Sequence, residues 1–191
     1  MPLTILDPVT ALIVVDLQKG IAGFPLVHPL SGIVRRTQKL IDAFRENSLP
    51  VVLVNVAGRA PGRTEQGARS SSQTFTEGWT ELLPELGRQS SDIVVTKRSW
   101  GAFATTDLEA QLKAKGVTQI VVTGVATSGG VEATARHAYE QGFNVTLALD
   151  AMTDVRQEAH AYSIANIFPR LGETGSTQEI LSLLIKRSVT A

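Results

Sequence analysis

Short, continuous runs of apolar residues alternate along the chain with stretches whose apolar residues recur at helical spacing. Such runs are typical of strands buried on both faces of a parallel sheet. Five strands are predicted, at 11–15, 51–56, 92–96, 120–122 and 144–149. Helices are predicted at 31–47, 106–116, 131–142, 153–168 and from 176 onward, with a shorter one around 79–86. This alternation predicts a three-layer α/β/α sandwich, with a Rossmann-like, mostly parallel sheet of about six strands.

Polar residues at the starts of three predicted helices fit capping roles. Ser31 is placed to cap the first helix, since its hydroxyl can accept a hydrogen bond from a free backbone amide. Thr106 with Glu109, and Ser176 with Glu179, have the spacing of a capping box. These pairs predict where two of the helices begin.

The stretch 117–136 combines a buried strand, a glycine-rich turn and a helix. Gly124, Gly129 and Gly130 allow backbone conformations and close approaches that a Cβ would block. Such a strand-turn-helix places free amides and the positive end of a helix dipole at the carboxyl edge of the sheet. Anionic groups or a developing oxyanion can be held there. The stretch therefore predicts a site at this edge, without naming its chemistry.

Two charged residues follow predicted strands and would lie at the same edge. Asp16 ends the first strand and Lys97 ends the third. Asp16 could equally cap a turn, and a lone lysine is usually only a surface charge. Trp100 and Phe103, just beyond the lysine, are predicted to shape the pocket.

The least regular part of the chain is 57–76, which is longer than the usual connection within a compact domain. A loop of this length indicates a binding loop, a lid or a subunit contact. Arg59, Arg63 and Arg69 could recognise a substrate carboxylate there. A solvated loop explains each arginine equally well.

The composition of the chain excludes several classes of function. A chain of 191 residues with 43% apolar content predicts a single domain spanning 1–191. Eighteen basic residues balance eighteen acidic ones, so neither nucleic acid nor a membrane is expected as a partner. The absence of cysteine excludes disulfides, thiolate metal sites and a cysteine nucleophile. Without a signal peptide or an apolar run of roughly 20 residues, a cytoplasmic protein is expected.

Three motifs together resemble the isochorismatase-like hydrolases, which also include nicotinamidases and carbamoyl-amide hydrolases. They are AxIVVDLQxG around Asp16, VTKRSWGAFATTDLEAQLKAKGV around Lys97, and VTGVATSGGVEATARHAYEQGFNVTLALDAMTD. The resemblance implies a homodimer or homotetramer and a site made from an aspartate, a lysine and a cysteine. The first two carry over to Asp16 and Lys97, and the cysteine position falls on Gly130.

That glycine excludes the amidase mechanism of the family, in which the cysteine attacks the carbonyl. The resemblance still implies an oxyanion hole from backbone amides at Ala126 and Gly130, often with a cis peptide at Val125-Ala126. Nicotinamidases bind a metal through an aspartate and two histidines. Asn55 and Ala57 fall where the Asp-x-His pair would be, so neither a metal nor another cofactor is expected.

Three functions remain open from the sequence. In the first, which some isochorismatases without the cysteine suggest, Asp16 is a general acid that protonates an isochorismate-like vinyl ether. Lys97 would then orient a substrate carboxylate or stabilise negative charge. In the second, Ser128 is a nucleophile with Asp150 and His160 as partners, in a weak match to a hydrolase elbow. In the third, the protein binds a small, carboxylated ligand without catalysis.

Overall fold

The structure is a computed structural model that describes residues 3–65 and 75–190, with side chains described as far as residue 186. Six parallel strands form one sheet in the order β3-β2-β1-β4-β5-β6. The strands are β1 Thr10–Val15, β2 Val51–Val56, β3 Ile93–Lys97, β4 Gln119–Val125, β5 Asn144–Thr153 and β6 Glu173–Gly175. The helices are α1 Lys19–Ala22, α2 Leu30–Glu46, α3 Leu108–Ala114, α4 Glu132–Glu140, α5 Gln157–Tyr162 and α6 Thr177–Thr190.

Each face of the sheet packs against its own layer of helices. In β1, Ile13 and Val15 belong to the core beneath α3 and α4, whereas Leu12 and Val14 belong to the core beneath α2 and α6. Alternate side chains of a strand point to opposite faces, which is why the continuous apolar runs are buried on both sides. The predicted three-layer α/β/α sandwich is therefore confirmed. In the part of the chain that the structure describes, no helix could cross a membrane.

Several predicted helix starts are wrong by a few residues. The helix α2 begins at Leu30 after Pro29, so Ser31 lies inside the first turn and does not cap it. Thr106 precedes α3, whose N-cap residue is Asp107. The hydroxyl of Thr106 donates to the carbonyl of Ala102. The Thr106 hydroxyl also accepts the Leu108 amide at 3.4 Å, but the Glu109 carboxylate binds Lys113, so the reciprocal hydrogen bond of a capping box does not form among the described residues.

The second capping box is confirmed. The Ser176 amide donates to the Glu179 carboxylate at 2.7 Å, and the Glu179 amide donates to Ser176 Oγ at 3.3 Å. These reciprocal hydrogen bonds satisfy two of the free amides at the start of α6.

The remaining differences lie before β3, at the C-terminal end of β5 and at β6. No helix forms around 79–86; this segment makes turns and one 3₁₀ turn, Pro84–Leu86. The strand β5 runs on to Thr153, and the next helix begins only at Gln157. The sixth strand, β6, has three residues and was not located from the sequence, since its pattern is too short for a periodic signal.

Gly124, near the end of β4, lies against the backbone of β1. Its φ is +119°, and a Cβ built on it would lie 2.0 Å from the carbonyl oxygen of Val15. A larger residue would therefore have to push β1 and β4 apart immediately beside Asp16.

Gly124→Ala is expected to lower the free energy of unfolding by at least about 3 kcal/mol, because neither the backbone conformation nor the contact with Val15 can relax cheaply. Urea unfolding followed by tryptophan fluorescence measures the loss. Gly23→Ala is the control, since a Cβ there meets nothing within 4 Å, and a change within about 0.5 kcal/mol is expected. Equal stability of the two variants would contradict the assignment of Gly124 to a required close contact.

Candidate active site

A buried ion pair lies at the carboxyl edge of the sheet. Lys97 Nζ is 2.7 Å from Asp16 Oδ2, and the two side chains are only 2% and 8% exposed. Asp16 directly follows β1 and Lys97 ends β3, so the two residues predicted to meet at this edge do meet. Lys97 Nζ also donates to the carbonyl oxygens of Trp100 at 2.7 Å and Ser99 at 3.3 Å. The ammonium group therefore has three oxygen partners in a site with little access to water.

The two carboxylate oxygens of Asp16 have different surroundings. Lys97 holds Oδ2, whereas Oδ1 is buried and accepts no hydrogen bond from any residue that the structure describes. The backbone of Asp16 has a φ of +52°, a conformation that aspartate tolerates better than most residues. The Asp16 amide donates to the carbonyl of Val54 at 2.9 Å, which fixes the residue to the end of β2. The unpartnered Oδ1 is the oxygen on which a proton would lie.

Burial raises the pKa of Asp16 from the ordinary 3.8 to about 6, and the charge and hydrogen bond of Lys97 limit this rise. Desolvation disfavours the charged carboxylate more than the lysine favours it. A carboxyl group with this pKa can supply a proton near neutral pH.

Gly130 lies against both members of the pair. A Cβ built on it would lie 3.1 Å from Asp16 Oδ2, 3.3 Å from Lys97 Nζ and 3.0 Å from a methyl group of Val15. Any side chain at position 130 would therefore touch the acid and the lysine together. The Gly130 carbonyl accepts the Thr134 hydroxyl at 2.6 Å, which fixes this residue to the first turns of α4.

Asp154 holds the turn that carries Gly130, although it was not predicted as a site residue. It is 2% exposed. Its Oδ2 accepts the Ser128 amide at 2.7 Å and the Ser128 hydroxyl at 2.8 Å, and its Oδ1 accepts the Val155 and Arg156 amides. Like Asp16, it directly follows a strand, but the sequence predicts that strand to end at 149, so this shared position was not apparent before the structure.

Gln18, which is fully buried, is a second residue that the sequence analysis did not single out. Its amide group accepts the Val56 amide at 2.7 Å and donates to the carbonyls of Val56 and Trp79. It thereby ties the segment after Asp16 to the end of β2 and to the chain that leads into β3.

The predicted serine triad does not assemble. Ser128 donates its hydroxyl to Asp154, while Asp150 accepts the amide and the hydroxyl of Thr177 at 2.7 and 2.8 Å. His160 shares a hydrogen bond of 2.8 Å with the Thr127 hydroxyl through its Nδ1. Burial and the neighbouring His28 lower the pKa of His160, so this imidazole stays neutral at neutral pH. Each member of the proposed triad has a different partner.

The residues predicted to contact the substrate differ in their exposure to solvent. Trp100 is 69% exposed and its carbonyl, not its ring, faces Lys97. Phe103 is 6% exposed and packs on Phe143 in the core, with the ring centres 5.9 Å apart, which argues against a substrate contact. Arg59 and Arg63 are exposed on the loop after β2. Arg69 and residues 66–74 around it lie outside the described part of the chain.

Two sizeable cavities occur among the described residues, and neither has Asp16, Lys97 or Gly130 in its wall. One, of about 390 Å³, lies at the amino ends of the strands between Gln119 and Phe143. The other, of about 430 Å³, lies beside His160 at the start of α2. The acid and the lysine, whose side chains are largely buried, therefore line neither of these two cavities.

Comparison with known proteins identifies the family. The sequence profile of the isochorismatase domain matches residues 10–179, which is most of the chain. This protein belongs to the isochorismatase family. It is 42% identical over 182 residues to the isochorismatase family protein YecD of Escherichia coli O157:H7, a match that covers 92% of this chain and 96% of YecD. The isochorismatase family protein YwoC of Bacillus subtilis is 39% identical over 177 residues, which cover 90% of this chain and 92% of YwoC.

A solved structure agrees with the family assignment. An isochorismatase family protein from Burkholderia thailandensis superposes with a TM-score of 0.88 at 38% identity, over 95% of this chain and 98% of the other. In this member of the isochorismatase family the Val125-Ala126 peptide is cis, as the resemblance implies.

The positions that bind metal in nicotinamidases carry other side chains in this member of the isochorismatase family. Asn55 lies near the C-terminal end of β2, and its Nδ2 donates to the carbonyl of Thr80 at 2.8 Å. The side chain of Ala57 has no atom that could bind a metal. Neither residue supplies the carboxylate or imidazole of the Asp-x-His pair. In the ranges 3–65 and 75–190, no three histidine or carboxylate side chains cluster as metal ligands would.

The carboxyl group of Asp16 is expected to titrate near pH 6, well above the ordinary 3.8, because its burial outweighs the charge of Lys97. A ¹³C NMR titration of the aspartate carboxyl signals, assigned with Asp16→Asn, measures this midpoint. In Lys97→Met the midpoint is expected to rise further, since the group that lowers the pKa has been removed.

The same pKa sets how stability depends on pH. Between 3.8 and about 6 the folded protein retains a proton that the unfolded chain loses, so Asp16 makes folding less favourable as the pH rises through this window. Asp16→Asn should lack this contribution. A midpoint near 4, or equal pH dependence of stability in the two proteins, would contradict the buried environment described for Asp16.

Proposed function

We propose that this protein hydrolyses the vinyl ether of a small, carboxylated, isochorismate-like substrate, with Asp16 as the general acid and without a cysteine. One observation carries the proposal: a buried carboxyl group with a pKa of about 6, one oxygen of which is held by Lys97 while the other has no partner among the described residues. The assignment of this chain to the isochorismatase family supports a hydrolase.

The chemistry follows from the two oxygens of Asp16. The protonated carboxyl group gives its proton to the terminal vinyl carbon, and a new C–H bond forms as the double bond is used. The ether oxygen stabilises the resulting cation, water adds to it, and the hemiketal so formed separates into an alcohol and a 2-keto acid. A proton from the added water restores Asp16. The reaction needs no nucleophilic side chain, which agrees with glycine at position 130.

Lys97 has two effects in this scheme. Its charge stabilises the carboxylate that Asp16 becomes after proton transfer, since Nζ is 2.7 Å from Oδ2. It also keeps the pKa of Asp16 from rising higher, so that the acid remains strong enough to protonate carbon near neutral pH. The lysine is fixed by the carbonyls of Ser99 and Trp100 and therefore does not have to be ordered during the reaction.

We further propose that the protein acts as a homodimer or homotetramer, as its family resemblance suggests. Large apolar side chains are exposed on the single chain, and such residues are commonly covered in oligomers. Among the described residues they are Ile5, Phe24, Trp100, Tyr139, Val155, Tyr162 and Ile185. Light scattering after size exclusion chromatography measures the assembly.

Asp16→Asn is expected to reduce kcat/KM for isochorismate by roughly 10² to 10⁴, because the acid has no replacement. In the wild type, kcat/KM should fall as the pH rises above about 6, since only the protonated form of Asp16 is active. Turnover is measured with isochorismate and a panel of small amides. The control is Ser128→Ala, which should retain activity on isochorismate.

Three outcomes would contradict the proposal. Retained turnover in Asp16→Asn would exclude the acid mechanism. Loss of an esterase activity in Ser128→Ala, with Asp16→Asn unaffected, would favour the serine alternative. Tight binding of a carboxylated ligand with no turnover of any substrate would favour a binding protein.

A second prediction concerns the space beside the pair. Gly130→Ala is expected to lower kcat/KM by at least about tenfold, because its methyl group would lie 3.1 Å from Asp16 Oδ2 and 3.3 Å from Lys97 Nζ. Gly129→Ala is the matched control, since the Cβ there meets only Ala126 at 3.7 Å. Steady-state kinetics compares the two variants. Equal activities would show that the substrate does not use the space at Gly130.

A further inference from the structure

A second polar cavity, of about 430 Å³, lies at the start of α2 and is separate from the acid and the lysine. Its wall includes His28, Arg35, Arg36, Leu149, Asp150 and His160. We call it the α2 cavity. Its volume is within the range of small-molecule sites, and it has both charged and apolar walls.

The charges of the α2 cavity favour an anion. The one carboxylate in its wall, that of Asp150, is already paired with Arg36 Nε at 3.3 Å and accepts the amide and hydroxyl of Thr177. Arg35, in contrast, forms no ion pair with any residue in the described ranges. The first turn of α2 contains no acidic side chain, so the positive end of its dipole is not compensated from within the helix. One guanidinium group therefore remains for a ligand.

Two imidazoles also line the α2 cavity. The rings of His28 and His160 are 4.8 Å apart, and His160 is only 7% exposed. Their Nδ1 atoms are engaged by threonine hydroxyls, that of Thr153 at 3.1 Å and that of Thr127 at 2.8 Å. No described residue forms a hydrogen bond with Nε2 of either ring. These nitrogens are the polar atoms that a bound molecule can reach.

The rest of the wall defines the kind of anion. Pro29 and Leu149 contribute apolar surface to the same cavity, whereas Ile33 and Met152 in its wall are almost fully buried. An inorganic anion would leave this surface without a partner, whereas an organic carboxylate could cover it with its hydrocarbon part.

We propose that the α2 cavity binds a small organic carboxylate, with the carboxylate group held by Arg35 and the two imidazoles and the apolar part packed on Leu149 and Pro29. This site is distinct from the proposed catalytic site, and its occupation requires no turnover. Because His160 also bonds Thr127, the bound molecule lies one side chain away from the turn that carries Gly130.

The three histidines of the chain provide the test. Two of them, His28 and His160, line the α2 cavity, and the third, His137, lies on α4 beside Gly101. Benzoate is titrated into the ¹³C-labelled full-length protein at one fixed pH, and the imidazole signals are followed after assignment by single histidine variants. We expect benzoate to shift the His28 and His160 signals in a saturable way and to leave His137 unchanged. Benzamide, which has the same ring without the charge, should shift none of them.

Arg35→Gln is expected to weaken benzoate binding by about tenfold, since it removes a charge-assisted hydrogen bond. Lys39→Gln is the matched control, because it removes an exposed positive charge from the same helix outside the wall of the cavity. Its affinity for benzoate should stay within about twofold of the wild type.

Several results would overturn the proposal. They are the absence of saturable shifts at His28 and His160, equal shifts with benzamide, or equal affinity in Arg35→Gln and the wild type. Inorganic phosphate that binds as tightly as benzoate would exclude a role for the apolar wall. Shifts that depend on protein concentration and not on benzoate would assign this surface to a contact between copies of the chain. None of these readings depends on hydrolysis of isochorismate.

Discussion

The buried pair of Asp16 and Lys97 is the interaction on which the rest of the site depends. Moving two charges out of water costs several kcal/mol for each ion, and the attraction between them compensates only when further hydrogen bonds satisfy the group. Here the lysine is satisfied, since its ammonium has the aspartate and two backbone carbonyls, whereas one oxygen of the aspartate has no partner among the described residues. The imbalance explains why the pKa of the acid rises although its counter-ion is adjacent.

The fold holds this pair through short connections between backbone segments. The carbonyls that bind Lys97 belong to the chain just after β3, and the Ala102 amide in the same segment donates to the Thr134 hydroxyl at 3.1 Å. That hydroxyl in turn donates to the Gly130 carbonyl at 2.6 Å. On the other side, Asp154 fixes the same turn to the end of β5. The glycine beside the acid is therefore positioned from two strands at once, and little of its placement is left to side-chain flexibility.

The sequence predicted the sheet and the meeting of Asp16 with Lys97 because both follow from simple physical rules. Continuous apolar runs identify buried parallel strands, and residues that follow such strands share one edge of the sheet. The lengths of β5 and α5 could not be predicted in this way. The register shift between Val122 and Gly124 lets β5 continue to Thr153, and no local pattern in 150–153 distinguishes that strand from the start of a helix.

Hydrogen bonds between residues that are far apart in the chain could not be predicted from the sequence either. The helix predicted from 153 places Asp154 at its start, where an aspartate usually serves as a cap. In the structure its carboxylate instead binds the amide of Ser128, which lies 26 residues earlier in the chain. The sequence also offers Ser128 as a candidate nucleophile. In the structure its hydroxyl donates to the carboxylate of Asp154. Spacing along the chain reveals local caps, but only the tertiary fold shows which polar groups satisfy one another.

The combination of a raised pKa and a glycine at position 130 is more informative than either feature alone. A thiol mechanism needs Asp16 in its ionised form, so that the carboxylate can take the proton of the thiol. A carboxyl group with a pKa of about 6 can give or take a proton near neutral pH, but glycine at position 130 supplies no thiol proton for it to take, which favours the role of acid. The glycine leaves the neighbouring space without a side chain, so the acid would face its substrate directly. Burial of the charged Asp16 carboxylate makes folding less favourable. The same burial raises the pKa of Asp16 and so makes it a useful acid.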